Sequence, residues 1–217
     1  MKKLYFTLLL SFIFLKIFAQ SSLHVANHYV FNEFNEGTII MRSGQVFKLP
    51  LNYNSLTEEM VFDENGQKMA IGKDKVNEID TIIIKDKKFI VWKSKFYELI
   101  SKPQFDLLVL YKCYVKNKGE SVGYGISSET ASITKYSSIN SNSAYYNLNL
   151  PGGYDLYPFV SYVIKKGGDF QSFKSMKQLK KIYSDKIELL KTYTNQHEVV
   201  FNNVESILQL VQYIESN

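Results

Sequence analysis

The sequence predicts a mainly β protein of the α+β type: an antiparallel meander that forms a barrel or a sandwich, followed by about three short helices. Short apolar or alternating runs separated by turn residues extend from residue 37 to residue 117. The connections between them are too short for a crossover helix, so neighbouring strands are expected to be antiparallel. After residues 167–168 the spacing of apolar residues changes from every second residue, typical of a strand, towards every 3.6 residues, typical of a helix. We therefore assign residues 20–166 to a β domain and residues 167–217 to a helical module.

Three hairpins are indicated by their turns. GTIIMR and QVFKLPLNY flank Ser43-Gly44, EEMVF and KMAIG flank a turn with Asn65-Gly66, and IDTIIIK and KFIVWK flank residues 85–87. Asn-Gly is the strongest short hairpin signal among them. FYELIS and the run from Phe105 to Val115 then follow on either side of Pro103. About eight strands are expected.

In the helical module, Met176, Leu179, Ile182 and Tyr183 mark one apolar face, and Ile187, Leu190 and Tyr193 mark a second. Ser184-Asp185 lies between them as a helix break. Asn202 with Glu205 resembles a capping box, which opens a last helix with apolar residues at Val204, Ile207, Leu208, Val211 and Ile214.

Composition excludes two classes of protein. The 217 residues are 45% hydrophobic and 15% aromatic, which is too apolar for a disordered chain. One cysteine, Cys113, cannot form a disulfide scaffold. It lies in an apolar run in which alternate residues share one face, so we expect a buried and unreactive thiol.

The N-terminus has the features of a secretory signal peptide at residues 1–19. Lys2 and Lys3 precede a mostly apolar stretch, and Ala19 offers a small residue at the cleavage point. The protein is therefore expected in the periplasm or outside the cell. The sequence has no cysteine near Ala19 of the kind that carries a lipid anchor. It also has no later run of 18 apolar residues, so a membrane span is not expected.

Signal cleavage changes the interpretation of the charge. It removes three lysines and no acid, so the net charge falls from +5 to +2. The remaining excess lies between residues 165 and 191, where eight lysines face three acids. They are Lys165, Lys166, Lys174, Lys177, Lys180, Lys181, Lys186 and Lys191. This pattern predicts either a docking face for an anionic membrane or polymer, or the solvated side of amphipathic helices. Nucleic acid is not expected, because Arg42 is the single arginine.

A second candidate region surrounds a polar loop. Thirteen of the 23 residues from Ser127 to Asn149 are Ser, Thr or Asn, which predicts an exposed loop near residues 127–149. Tyrosines flank it at Tyr145, Tyr146, Tyr154 and Tyr157. Aromatic rings at such a place hold a sugar or a peptide, or else they fill the core.

No motif assigns catalysis, a metal or a cofactor. His24 and His28 have the spacing of two ligands on one helical face, but no third ligand is suggested. His197 could serve as the base for Cys113 or a serine in nucleophilic catalysis, but nothing in the sequence supports such a pair. No G-x-S-x-G elbow or H-E-x-x-H sequence occurs.

The signal ending in FAQ, the segment GTIIMRSGQVFKLPLNYNSLTEEMVF and the lysine-rich tail resemble exported Bacteroidota proteins of unknown function. The resemblance covers most of the chain after the signal and includes the LNYN element, Leu51 to Asn54. It implies a compartment and a lineage, and it carries no catalytic residue.

The expected function is a non-enzymatic envelope module that binds a protein, glycan or lipid partner. The candidate contact residues are Lys174, Lys177, Lys180, Lys181, Tyr145, Tyr146, Tyr154 and Tyr157. The alternative is a small-ligand-binding β-barrel or an exported hydrolase with an unrecognised site, so the sequence leaves open whether the protein is an enzyme.

Overall fold

The structure, a computed structural model, describes residues 28–117, 121–122, 126–127, 154–166 and 168–217. The predicted signal peptide at residues 1–19 lies outside these residues, as do His24 and nearly all of the polar loop with Tyr145 and Tyr146.

Mainly β architecture followed by C-terminal helices is confirmed. The strands are β1 Asn35–Met41, β2 Val46–Asn54, β3 Glu59–Glu64, β4 Gln67–Ala70, β5 Ile79–Ile84, β6 Lys87–Trp92, β7 Lys95–Ser101, β8 Asp106–Asn117, β9 Ser121–Val122, β10 Ile126–Ser127, β11 Tyr154–Lys166 and β12 Asp169–Phe173. The helices are α1 Lys73–Val76, α2 Met176–Ile182, α3 Ile187–Gln196 and α4 Val204–Ser216, with a 3-10 turn at Ser184–Lys186.

Ten of these strands form one antiparallel sheet in the order β12-β11-β8-β7-β6-β5-β1-β2-β3-β4, and β9 pairs with β10 separately. The sheet consists of two meanders joined by the pairing of β1 with β5. The connection from β4 to β5 contains α1 and leads from the edge strand β4 to the interior strand β5. The sheet is not closed into a barrel, and the barrel form of the prediction is therefore wrong.

The strand β7 changes its pairing partner half-way along its length. Its first half pairs with β6, from Trp92↔Lys95 to Phe89↔Glu98. Its second half pairs with β8, from Glu98↔Val109 to Ser101↔Asp106. Glu98 is the one β7 residue paired on both sides, so it marks the point where the pairing of β7 passes from β6 to β8.

The sheet curls, so that β2 and the turn after it come close to β8. Four strands separate β2 from β8 in the sheet, yet the Tyr53 ring centroid lies 6.4 Å from that of Tyr111. Glu58, in the turn after β2, makes an ion pair with Lys112 of β8 at 2.9 Å and another with Lys95 of β7. Apolar side chains fill the concave face beneath this contact. They include Leu51, Tyr53, Met60, Ile82, Ile84 and Phe89.

The C-terminal helices cover the part of the sheet formed by β8 and β11. Leu179, Tyr183 and Leu190 join Leu107 and Val109 in one core cluster, which confirms the predicted helical faces. Two local predictions need correction. The last helix is capped by Asn203, whose side chain accepts from the Ser206 amide, and not by Asn202. In addition, the strand β12 precedes α2, and an exposed edge strand of five residues has too little apolar alternation to be recognised.

The strand β8 is buried on both faces over its first half. Leu107 and Val109 face the helices, while Leu108 and Leu110 pack with Tyr97 on the opposite face. This explains why the sequence between residues 107 and 110 is continuously apolar instead of alternating.

The LNYN element ends β2 and is buried throughout. The Asn52 side chain accepts from the Phe31 amide at 3.1 Å and donates to the carbonyl oxygens of Phe31 at 2.8 Å and Glu33 at 3.0 Å. The Asn54 side chain accepts from the amides of Leu56 and Thr57. One asparagine thus holds the segment before β1, and the other fixes the turn after β2.

Candidate functional site

Four of the eight lysines predicted as a basic region form what we call the lysine surface: Lys174, Lys177, Lys180 and Lys181. Lys174 directly precedes the N-cap residue Ser175, and the other three lie on α2. At about 100° per residue, Lys177 and Lys181 lie on the side of α2 opposite the buried Leu179, and Lys180 lies on the adjoining flank. All four are exposed, and they form no ion pair with any residue that the structure describes.

The other four lysines are engaged. The Lys165 ammonium lies 3.9 Å from Asp106, and that of Lys166 lies 3.2 Å from Glu215. Lys186 donates to the Ile214 carbonyl at 2.8 Å, and Lys191 pairs with Glu188 at 2.6 Å. The structure therefore divides the predicted basic region into four lysines that contact an acid or a backbone carbonyl and four that form no ion pair with the described residues.

The polar side chains beside the lysine surface already have partners. The Ser175 hydroxyl accepts from the Gln178 amide at 3.4 Å, and the Gln178 side chain accepts from the Lys174 amide at 2.8 Å. Arg42 donates to the carbonyl of Asn77, far from α2 in the chain. What α2 presents outward is thus positive charge on flexible stems, without a fixed set of hydrogen-bonding groups.

Among the predicted tyrosines, Tyr157 is the one whose side chain is described in an exposed position. Its ring stacks on Tyr114 with centroids 5.0 Å apart and planes 8° apart, and the two rings remain 38% and 41% exposed. Tyr154 is the first residue of β11. Sequence reasoning did not single out Tyr114, although the pairing of Tyr157 with Tyr114 across β11 and β8 follows from strand register.

The stacked tyrosines and the lysine surface lie on opposite sides of the sheet. Odd-numbered residues of β8, such as Leu107 and Val109, face the helices. Because side chains alternate along a strand, Tyr114 projects from the other face. The two predicted groups therefore do not combine into one site.

The histidines and the cysteine are placed without a catalytic relationship. Burial raises the pKa of the Cys113 thiol, as expected for an unreactive cysteine. Burial, and secondly the charge of Lys68, lower the pKa of His28. The His197 ring lies 4.5 Å from that of Tyr193 at the exposed end of α3. Within the described residues, no three His, Cys, Asp or Glu side chains gather in a way that fits a metal ion.

A buried polar cluster that the sequence did not predict lies where β7 passes from β6 to β8. Glu98, 5% exposed, accepts from the Lys87 ammonium at 2.9 and 3.0 Å and from the Tyr111 hydroxyl. Burial and then the Glu98 charge raise the pKa of Tyr111, so this hydroxyl stays protonated at neutral pH. The cluster joins three strands and is a structural device. The sequence predicted strands at KFIVWK and FYELIS, but it did not predict the contacts of Glu98 with Lys87 and Tyr111.

Comparison with known proteins adds no relative: no protein-family model, curated protein or solved structure matches this chain. Of the helices in the described parts of the chain, none has the length and apolar character needed to cross a bilayer.

Proposed function

We propose that this protein is an exported, non-enzymatic binding module of the cell envelope, and that its lysine surface contacts an anionic partner. The observation that carries the proposal is the contrast between the two groups of lysines. Lys177, Lys180 and Lys181 are exposed and unpaired within the described residues, whereas Lys166 and Lys191 have acidic partners close by.

The arrangement of charge on α2 supports a role in binding because folding does not require it. Lys177 and Lys181 are four residues apart, and like charges at this spacing destabilise a helix by a few tenths of a kcal/mol. Lys180 and Lys181 lie in the last turn, where the helix dipole offsets part of this cost. A negatively charged partner removes the repulsion and gains from all of these charges.

The filled concave face of the sheet favours a binding surface over an internal ligand cavity. Tyr53, Met60 and Phe89 occupy the volume where a ligand-binding barrel would hold its ligand. His197 lies at the exposed end of α3 and has no nucleophile against it among the described residues. These observations weigh against the hydrolase and small-ligand alternatives.

The experiment is charge reversal followed by binding to isolated cell envelopes. In the test variant, Lys177, Lys180 and Lys181 are replaced by Glu. In the matched control, the exposed strand residues Lys48 and Lys88 and the exposed turn residue Lys85 are replaced by Glu, which gives the same net charge. We expect the test variant to lose at least nine-tenths of its envelope binding while the control keeps more than half.

Thermal unfolding of both variants separates binding from folding. The lysine surface makes no ion pair with the rest of the described chain, so the midpoint is expected to stay within about 2 °C of the wild type. Equal envelope binding by wild type and test variant would show that the lysine surface is not the contact.

The stacked pair of Tyr114 and Tyr157 supports a second candidate, a site for a sugar ring. Both rings are held on adjacent strands, and Phe159 lies 5.9 Å from Tyr114. Such rigid aromatic groups bind with little loss of conformational entropy. Titration of oligosaccharides against wild type and Tyr157→Ala tests it, and identical titration curves would reject it.

A further inference from the structure

We propose that the anionic partner of the lysine surface is the headgroup layer of a lipid bilayer, bound peripherally and without insertion. This inference rests on the proposed function and specifies its partner. It is argued from the kind of cation on α2, from the shape of the surface that carries it, and from the strength that four such charges provide.

The kind of cation favours a diffuse anionic layer over a discrete acidic site. Lysine is a compact, hydrated charge on a flexible stem, whereas arginine recognises a carboxylate or phosphate through two parallel hydrogen bonds. The lysine surface contains no arginine, and the nearby Ser175 and Gln178 are engaged in backbone hydrogen bonds. The surface therefore attracts negative charge without fixing the geometry of one anionic group, as suits headgroups that diffuse in a fluid layer.

The shape of the surface also fits a layer. The charges lie on the outer side of a helix that covers the sheet, because Leu179 and Tyr183 of the inner side belong to the core. Lys177, Lys180 and Lys181 occupy one turn of α2, and Lys174 precedes it. Lys177 and Lys181 lie on the outermost side of α2, and the flexible stems of Lys174 and Lys180 allow their ammonium groups to reach the same extended surface.

The expected binding is weak, reversible and sensitive to salt. A lysine close to an anionic leaflet strengthens binding roughly 5-fold, so four lysines give roughly 10³-fold over a neutral surface. Because the attraction acts within a Debye length of about 10 Å at 0.1 M salt, it is largely lost at 1 M. The exposed side chains between residues 174 and 182 are the four lysines and Gln178, all of them polar, so salt alone is expected to release the protein.

The test is co-sedimentation of the processed protein with vesicles that contain increasing fractions of phosphatidylglycerol in phosphatidylcholine. We expect binding to rise with the anionic fraction. Single substitutions Lys177→Gln and Lys181→Gln should each lower the partition coefficient roughly 5-fold. Lys48→Gln and Lys88→Gln, which remove the same charge from the sheet, should lower it less than 2-fold.

Three results would overturn the inference. Absence of binding at every phosphatidylglycerol fraction, together with intact lysine-dependent binding to envelopes, would leave the proposed function standing with a different anionic partner. Binding to dissolved dextran sulfate or polyglutamate that equals vesicle binding at matched charge would show that a soluble polyanion suffices. Loss of the lysine dependence in both assays would reject the proposed function itself.

Discussion

The carboxylate of Glu98 lies 2.9 Å from the ammonium of Lys87, at the residue where β7 ends its pairing with β6 and begins its pairing with β8. Tyr111 of β8 donates a hydrogen bond to the same carboxylate. Glu98 is almost completely buried, whereas the Lys87 side chain is one-quarter exposed. The point where β7 exchanges β6 for β8 therefore contains a buried carboxylate that depends on its two partners.

We expect Lys87→Met to destabilise the protein by about 2–3 kcal/mol, because it leaves the buried Glu98 with one hydrogen-bond donor side chain. Urea denaturation at pH 7 measures the loss. In the double variant with Glu98→Leu, the charge is removed as well, so the double variant should be no less stable than Lys87→Met alone. Additive losses from the two substitutions would contradict the coupling.

Asn52→Ala should destabilise the protein by about 2–4 kcal/mol, since it leaves backbone groups of Phe31 and Glu33 without partners. Hydrogen exchange of residues 28–34 is expected to accelerate more than that of β8. Asn32→Ala, at an exposed neighbouring position, is the control and should change stability by less than about 0.5 kcal/mol. Equal effects of the two substitutions would contradict the role of Asn52.

The acid stability of the curled sheet should depend on Glu58. Burial alone would raise the pKa of this carboxyl, but hydrogen bonds from Lys95 and Lys112 outweigh it and hold the pKa below the usual 4.5. The folded protein thus binds this proton more weakly than the unfolded chain. The stabilisation is complete above about pH 4.5 and is lost as the pH falls through the folded-state pKa.

Glu58→Gln isolates this contribution. At pH 7 we expect the variant to be about 1–2 kcal/mol less stable than wild type. The difference should shrink as the pH is lowered below 4.5, because the wild-type carboxyl then becomes neutral as well. Urea titrations at several pH values between 7 and 3 measure it, and a difference that does not change with pH would contradict the assignment.

Processing at the N-terminus is a separate prediction. Cleavage after Ala19 would leave Gln20 as the first residue of the exported protein and would lower the net charge from +5 to +2. Intact-mass measurement of protein recovered from the host envelope or medium tests this. A mass that includes residues 1–19 would contradict the predicted signal cleavage.

Sequence patterns were sufficient for the strands and helices that alternate against a core. The turns at Ser43-Gly44 and Asn65-Gly66 predicted two hairpins correctly, and the apolar spacing around Leu190 and Ile207 predicted two helices. The pairing of β1 with β5 was not predictable, because no local pattern shows which strands meet after the interruption by α1. Whether the sheet closes into a barrel also depends on which distant strands pair, so the sequence left barrel and sandwich as alternatives.

For the candidate site, the sequence predicted where the positive charge lies but not which charges are available. Lys166 and Lys186 are as basic in the sequence as Lys177, and only folding brings Glu215 and the end of α4 against the first two. Tyr114 was missed for a similar reason. Its exposure results from its place beyond the part of β8 that is buried on both faces.

The most direct test of the central claim is the reactivity of each lysine towards acylation, measured by mass spectrometry with and without bound envelopes. Binding through the lysine surface predicts that Lys174, Lys177, Lys180 and Lys181 become at least 5-fold less reactive. The control lysines Lys48, Lys85 and Lys88 should keep their reactivity. Unchanged reactivity of the four, or equal protection of both groups, would contradict the claim.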